Sequence, residues 1–185
     1  MADFVRVHGA TARLSGVLRA IAERRIPKGV RAAASLDRAL ADWQASVVVL
    51  DSLDPVTTEL VRLRAAAHHD CRTCKSLRTV AGRDAGVDET MTAKIERFET
   101  SDLPERHKVA LRFADVMMTQ PAHMSRELKH QLHQHFSDAE LLELSLDVMK
   151  WNDQKVPVAL RTDTEPVPGQ LTMLAFDQEG RHYFV

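Results

Sequence analysis

The stretch "ELVRLRAAAHHDCRTCKSLR", residues 59–78, begins as a helix and runs into the only two cysteines of the chain, Cys71 and Cys74. Its apolar residues recur at spacings of three and four, the helical period, with few of the β-branched alternations that mark a strand. Just upstream, Pro55 suits a first helical position, and Asp54 before it suits an N-cap, so the spacing predicts a helix entering the cysteine pair. A thioredoxin-type Cys-x-x-Cys belongs to a βαβ unit, and nothing in this chain reads as a parallel sheet. The fold class expected is therefore all-α.

Working outward, the same period continues in both directions. A first helix is expected over about 9–24, ending near Pro27 and Gly29, and a second over about 30–49 with Leu36, Leu40, Trp43 and Val47 on one face. Beyond the cysteines, Gly82 or Gly86 can stop a helix, and "GVDETMTAKIERF" (86–98) forms a short one with Asp88 as cap. Pro104 opens "PERHKVALRFADVMMT" and Pro121 closes it; "SRELKHQLHQHF" then leads into "SDAELLELSLDVMKWN", where Ser137 and Glu140 have the spacing of a capping box. "TDTEPVPGQ" (162–170) breaks the pattern and reads as a linker. "LTMLAFDQEGRHYFV" (171–185) resembles two short strands around a glycine turn, a hairpin too small to stand alone. The organisation expected is a helical domain over 1–162 and a linker and tail over 163–185, packed on the body or on a partner subunit.

At 185 residues the chain is long enough to bury a core without covalent staples. A bridge between positions so close in sequence would remove little unfolded-state entropy, so the cysteines are more chemical than structural. The 25 Lys and Arg balance 26 Asp and Glu, net −1, and leave no electrostatic footprint for nucleic acid or an anionic membrane. The start, "MADFVRVHGATARL", lacks the apolar run of a signal peptide, and no segment approaches a membrane span. Cytoplasmic residence is the expectation. There thiols are kept reduced, and a Cys-x-x-Cys serves redox chemistry or a metal more often than a permanent disulfide.

A helix starting at the cysteines would place Asp70 at its N-cap and aim the positive end of its dipole at Cys71. Arg72, Lys75 and Arg78 add positive charge around the pair, which favours thiolate. Two thiols at this spacing can close on each other, one attacking a substrate and the other resolving the product, the minimum for disulfide exchange or peroxide reduction. Packed helix cysteines are the plain alternative. A zinc site would need His68 and His69 to bend back on the same metal, since there is no second cysteine pair. In "KHQLHQH" (129–135), His130 and His133 share a helical face with His135 near, which reads as a solvated helix end rather than a metal site. Met117, Met118, Met149 and Phe113 read as core fillers.

Taken together, "ELVRLRAAAHHDCRTCKSLR", "AGVDETMTAKIERF" and "HFSDAELLELSLDVMKWN" resemble the carboxymuconolactone decarboxylase superfamily, and within it the alkylhydroperoxidase D-like branch, over roughly residues 40–162. The resemblance implies an all-helical fold assembled as a homo-oligomer and a cofactor-free disulfide cycle at Cys71 and Cys74. It also implies a glutamate twelve residues before the first cysteine, here Glu59. On this reading the substrate is a small hydroperoxide or disulfide and the partner a thiol reductant, with no cofactor, metal, nucleic acid or membrane. A non-catalytic oligomeric binding member of the family is the alternative. One position departs from the pattern: where the family has a relay histidine, this chain has Arg78, which cannot serve as a base. Arg78 can still hold a thiolate and pair with Glu59, while His68 or His69 could accept the proton. Weak peroxidase activity is expected, raised by Arg78→His. Trp151 and Asn152 match a segment near the site in relatives, but read here as packing and an ordinary cap. Apolar residues on several faces of "DAELLELSLDVMKWN" favour a homo-oligomer.

Overall fold

A computed structural model describes residues 34–153, 155–159 and 161–185. The helix expected over 9–24 lies outside these residues. Helix α1 spans Ala34–Val48, α2 Pro55–His68, α3 Arg72–Lys75, α4 Val80–Asp84 and α5 Glu89–Lys94, the last continuing into a 3-10 turn at Ile95–Thr100. They are followed by α6 Glu105–Thr119, a 3-10 turn at Pro121–His123, α7 Arg126–His135, α8 Asp138–Asp153 and α9 Val156–Ala159. Three short strands complete the fold: β1 Leu77–Thr79, β2 Thr172–Phe176 and β3 His182–Phe184. Among the described residues no helix is long and apolar enough to cross a membrane.

The local signals act as expected at the helix starts. Asp54 accepts from the Thr57 N–H at 2.8 Å with Pro55 in the first turn, and Asp88 accepts from the Met91 N–H at 2.7 Å. Ser137 and Glu140 close their capping box: the Glu140 carboxylate accepts from the Ser137 N–H at 2.7 Å, and the Ser137 hydroxyl from the Glu140 N–H at 3.4 Å. Of the two candidate glycines, Gly86 is the stop, with φ of +97° just past α4. Gly82 lies inside α4, where a Cβ would stand 2.7 Å from the Glu59 side chain.

Helix α2 is the centre of the molecule. Leu60 and Leu63 join Val87, Ile95, Phe98, Leu103 and Leu111 in one apolar cluster. Val61 belongs to another, with Val109, Phe113, Leu128, Leu132, Phe136, Leu144 and Val148. Each such side chain contributes about 1.5–3 kcal/mol by leaving water, so the two clusters hold α2 between them. The remaining face, Glu59 and Arg62, is also buried and turns toward β1. Two expected core faces differ. Leu36 and Leu40 of α1 are 64% and 41% exposed, leaving Val47 as the buried member, and Met149 is 51% exposed on α8.

The strand at 77–79 was not expected. It pairs in parallel with β2, Leu77 opposite Thr172 and Thr79 opposite Leu174, and β2 pairs antiparallel with β3 as the hairpin reading predicts. The tail is thus a sheet extension of the segment that directly follows the cysteines. Its turn is seated on α1: at Gly180, with φ of +76°, a Cβ would lie 2.1 Å from the Ala45 carbonyl oxygen.

Candidate active site

The cysteines occupy the turn from α2 through α3 into β1. The chain leaves α2 at His69, passes through Asp70 with φ of +51°, a left-handed conformation that a short polar side chain tolerates, and enters α3. Cys71 itself is the N-cap: its Sγ accepts from the Cys74 N–H at 3.2 Å, and its own N–H donates to the Ala66 carbonyl at 3.0 Å. This corrects the expected cap at Asp70. Positive φ swings that carboxylate outward to Lys75 and Arg161, whose hydrogen bonds hold its pKa down at about 2. The carboxylate that meets the start of α3 is instead Asp163 of the linker, accepting from the Arg72 N–H at 2.7 Å. Cys71 and Cys74 form a disulfide with Cα atoms 5.3 Å apart.

Behind the disulfide lies a closed network. Glu59 binds Arg62 through Nε at 2.6 Å and Nη2 at 2.7 Å, and accepts from the Thr79 N–H and hydroxyl at 3.1 and 2.9 Å. Arg62 also donates to the carbonyls of Cys74 and Leu77 at 3.0 and 2.7 Å. Both side chains are 1% exposed, a burial that charges tolerate only when paired and hydrogen-bonded. The Glu59–Arg62 pair therefore fixes the main chain of the cysteine turn.

Arg78 takes no part in this pair, contrary to the expected contact with Glu59. Its guanidinium binds the Glu89 carboxylate at 2.8 and 3.0 Å and the carbonyls of Lys75 and Leu77. Lys75 is bound to Asp70, and Arg72 lies within 3.5 Å of Asp163. The three cations expected around the thiols thus all face carboxylates. His68 is exposed, its ring edge-on to His69 at 4.9 Å, and it lines a hollow with Arg64, Lys75 and Arg78. His69 Nε2 hydrogen-bonds the Asn152 side-chain oxygen, and burial lowers its pKa.

On the other side of the disulfide is a cavity of about 460 Å³ between α1, α8 and the sheet, walled by Cys74, Leu77, Lys150, Trp151, Leu174 and Phe176. Cys74 is the half-buried sulfur of the pair and Cys71 is 2% exposed. The Lys155 ammonium donates to Cys74 Sγ at 3.7 Å, and burial lowers its pKa. Arg62, Asp163, Lys150 and Lys155 escape sequence reasoning because each reaches the cysteine turn or the cavity beside it only through tertiary folding. Trp151 and Asn152, read as packing and cap, stand in the cavity wall and on His69. Among the described residues no group of three His, Cys, Asp or Glu is placed to hold a metal, and His130 bonds Gln134 at 2.9 Å.

No protein-family model matches the sequence. Uncharacterized proteins from two strains of Mycobacterium tuberculosis are 48% identical over 123 residues, 66% of this chain, and the chain spans 43% of their length. A crystal structure of a protein of unknown function from Agrobacterium tumefaciens, ascribed to AhpD-type antioxidant defence, superposes with a TM-score of 0.61 at 21% identity, over 74% of this chain and 94% of that one. A cysteine-to-alanine variant of the debrominase Bmp8, in complex with 2,3,4-tribromopyrrole, gives 0.53 at 20% identity over 69% and 74%. With α2 at its centre and the cysteine turn beside it, the chain has the AhpD-like fold.

Proposed function

We propose that the protein is a thiol oxidoreductase that reduces a small hydroperoxide or disulfide through the Cys71–Cys74 pair. The observation that carries this is the asymmetry of the pair: Cys74 borders a cavity while Cys71 is enclosed beneath it. With a hydroperoxide, the Cys74 thiolate attacks the terminal oxygen, the O–O bond breaks and an alcohol leaves with a proton. The Cys71 thiol then displaces water from the Cys74 sulfenic acid to form the disulfide, and two equivalents of an external thiol restore the dithiol. Lys155 is the residue placed to take and return the proton at Cys74, the role that Arg78 cannot fill. The debrominase relative holds a small flat ring in the same fold, which supports a small-molecule site over a protein substrate. Cytoplasmic residence, with its pool of thiol reductants, accompanies this reading.

The test is dithiol-dependent consumption of cumene hydroperoxide, followed by trapping of sulfenic acid in Cys71→Ser. Turnover in the wild type, its loss in Cys74→Ser and a trapped adduct on Cys74 are expected. Two thiols that neither oxidise under mild peroxide nor differ in alkylation rate would overturn the reading. We also propose a homo-oligomer, supported by Leu142 and Met149, 63% and 51% exposed on α8. A light-scattering mass of one 20.8 kDa chain would contradict it.

A further inference from the structure

The cavity beside Cys74 contains a charge that the thiol cycle does not use. Lys150 is 4% exposed and lines the cavity, yet among the described residues it makes no hydrogen bond or ion pair. Its ammonium rests 3.3 Å from the Trp151 ring centroid and 5.6 Å from that of Phe176. Asp147, one turn earlier on α8, and Asp153 at its end act on it only at a distance, and each keeps one carboxylate oxygen without a partner. The other cations of the wall are already engaged: Arg62 holds Glu59, and Arg181 holds Asp177 and Glu179. The indole N–H of Trp151 is likewise buried with no acceptor.

A buried ammonium with no direct hydrogen-bonded or ion-paired partner is costly, and an anion entering the cavity would reduce that cost. The rest of the wall sets the remainder of the ligand. Leu77, Leu174 and Phe176 present apolar surface, and a volume of about 460 Å³ suits a small organic molecule and not a polymer. We propose that the cavity takes a small aromatic acid, its carboxylate on the Lys150 ammonium and its ring against Leu174 and Phe176, beside Cys74. This names the substrate class of the thiol cycle and so rests on that reading: the acid is the recognised part of the molecule, and its hydroperoxide or disulfide group faces the sulfur. Burial lowers the Lys150 pKa to about 8, so the ammonium still carries its charge at pH 7.

Binding is measured by calorimetry at pH 7 with 2-naphthoate, its neutral amide 2-naphthamide and the aliphatic acid decanoate. The Cys71→Ser/Cys74→Ser chain is used alongside the wild type, so that the result is independent of redox activity. Expected are 2-naphthoate binding at least about tenfold tighter than the amide in both chains, and a loss of about 10- to 100-fold in Lys150→Met, the range for a charged hydrogen bond, with recovery in Lys150→Arg. The proposal is overturned if 2-naphthoate binds no better than the amide, if neither binds at millimolar concentration, if folded Lys150→Met binds as the wild type does, or if decanoate equals 2-naphthoate. The wild-type comparison of probes decides the matter even where Lys150→Met fails to fold. A chain that binds 2-naphthoate but turns over no peroxide would remove the thiol cycle while leaving the anion site in place.

Discussion

Two buried cations flank the cysteine turn, and they are treated in opposite ways. Every nitrogen of the Arg62 guanidinium has an acceptor, among them a carboxylate and two main-chain carbonyls. The Lys150 ammonium is buried to a similar degree and has none among the described residues. A planar guanidinium with fixed donors suits a site whose partners never leave, whereas an ammonium on a flexible stem can wait for a partner and lose its proton at moderate cost. One side of the disulfide is therefore a strut and the other a socket. Substitutions on the strut should cost stability, and substitutions on the socket side should change chemistry while leaving the fold intact.

The largest effect tests the strut. Glu59→Gln leaves Arg62 as a buried charge without its counter-ion, a change that typically costs about 3–5 kcal/mol. For a chain of this length that lowers Tm by roughly 6–20 °C in thermal denaturation. A shift of one or two degrees would show that water reaches the pair and that the strut is not closed. Next comes the socket side. Lys155→Met removes the proton carrier at Cys74, so dithiol-dependent peroxide turnover should fall by about 10²-fold or more with Tm nearly unchanged. Equal losses of stability and turnover would erase the contrast between the two sides.

A smaller effect follows from close packing behind Glu59. Gly82→Ala puts a methyl group 2.7 Å from the Glu59 side chain and 2.8 Å from the Thr79 hydroxyl, both held by hydrogen bonds. The cost expected is roughly 1–3 kcal/mol, seen in denaturant midpoint with an unchanged slope. The last effect concerns pH. Burial raises the Asp147 pKa to about 7 from 3.8, so the folded state binds this proton more tightly than the unfolded chain. Its stabilising effect is complete below pH 3.8 and is lost as pH rises through 7. Asp147→Asn removes that loss, so its Tm should gain on the wild type between pH 4 and 7. A constant gap across that range would mean an ordinary carboxyl.

The helical body was legible because its signals are local. Asp54 before Pro55, Asp88, and Ser137 with Glu140 each satisfy amide groups within three residues, so the pattern and the structure coincide. The cysteine pair and Glu59 could be read as a motif, but their surroundings could not. Asp70 has the residue type of a cap, yet its positive φ turns it away, and Asp163 from the linker meets that helix start. Lys150 reaches the cavity and Lys155 reaches Cys74 through the packing of α8 and the turn beyond it, which no spacing in the sequence records. β1 has three residues, too few for any alternation, and exists because β2 supplies its hydrogen bonds.

That parallel pairing has a consequence for the order of assembly. Thr79 can meet Leu174 only after nearly all of the helical body lies between them as a closed loop, and contacts of such long range are the slow ones in folding. The α2 bundle has long-range contacts of its own, such as Val61 with Leu144 and Val148, but all of its helices precede the tail in the chain. During synthesis the cysteine turn is therefore made early and roofed late, and its thiols stay open to the surrounding medium until residues 171–185 emerge and dock. Newly made chains pass through an interval in which they are most easily oxidised or cross-linked, and the arrival of the tail ends it.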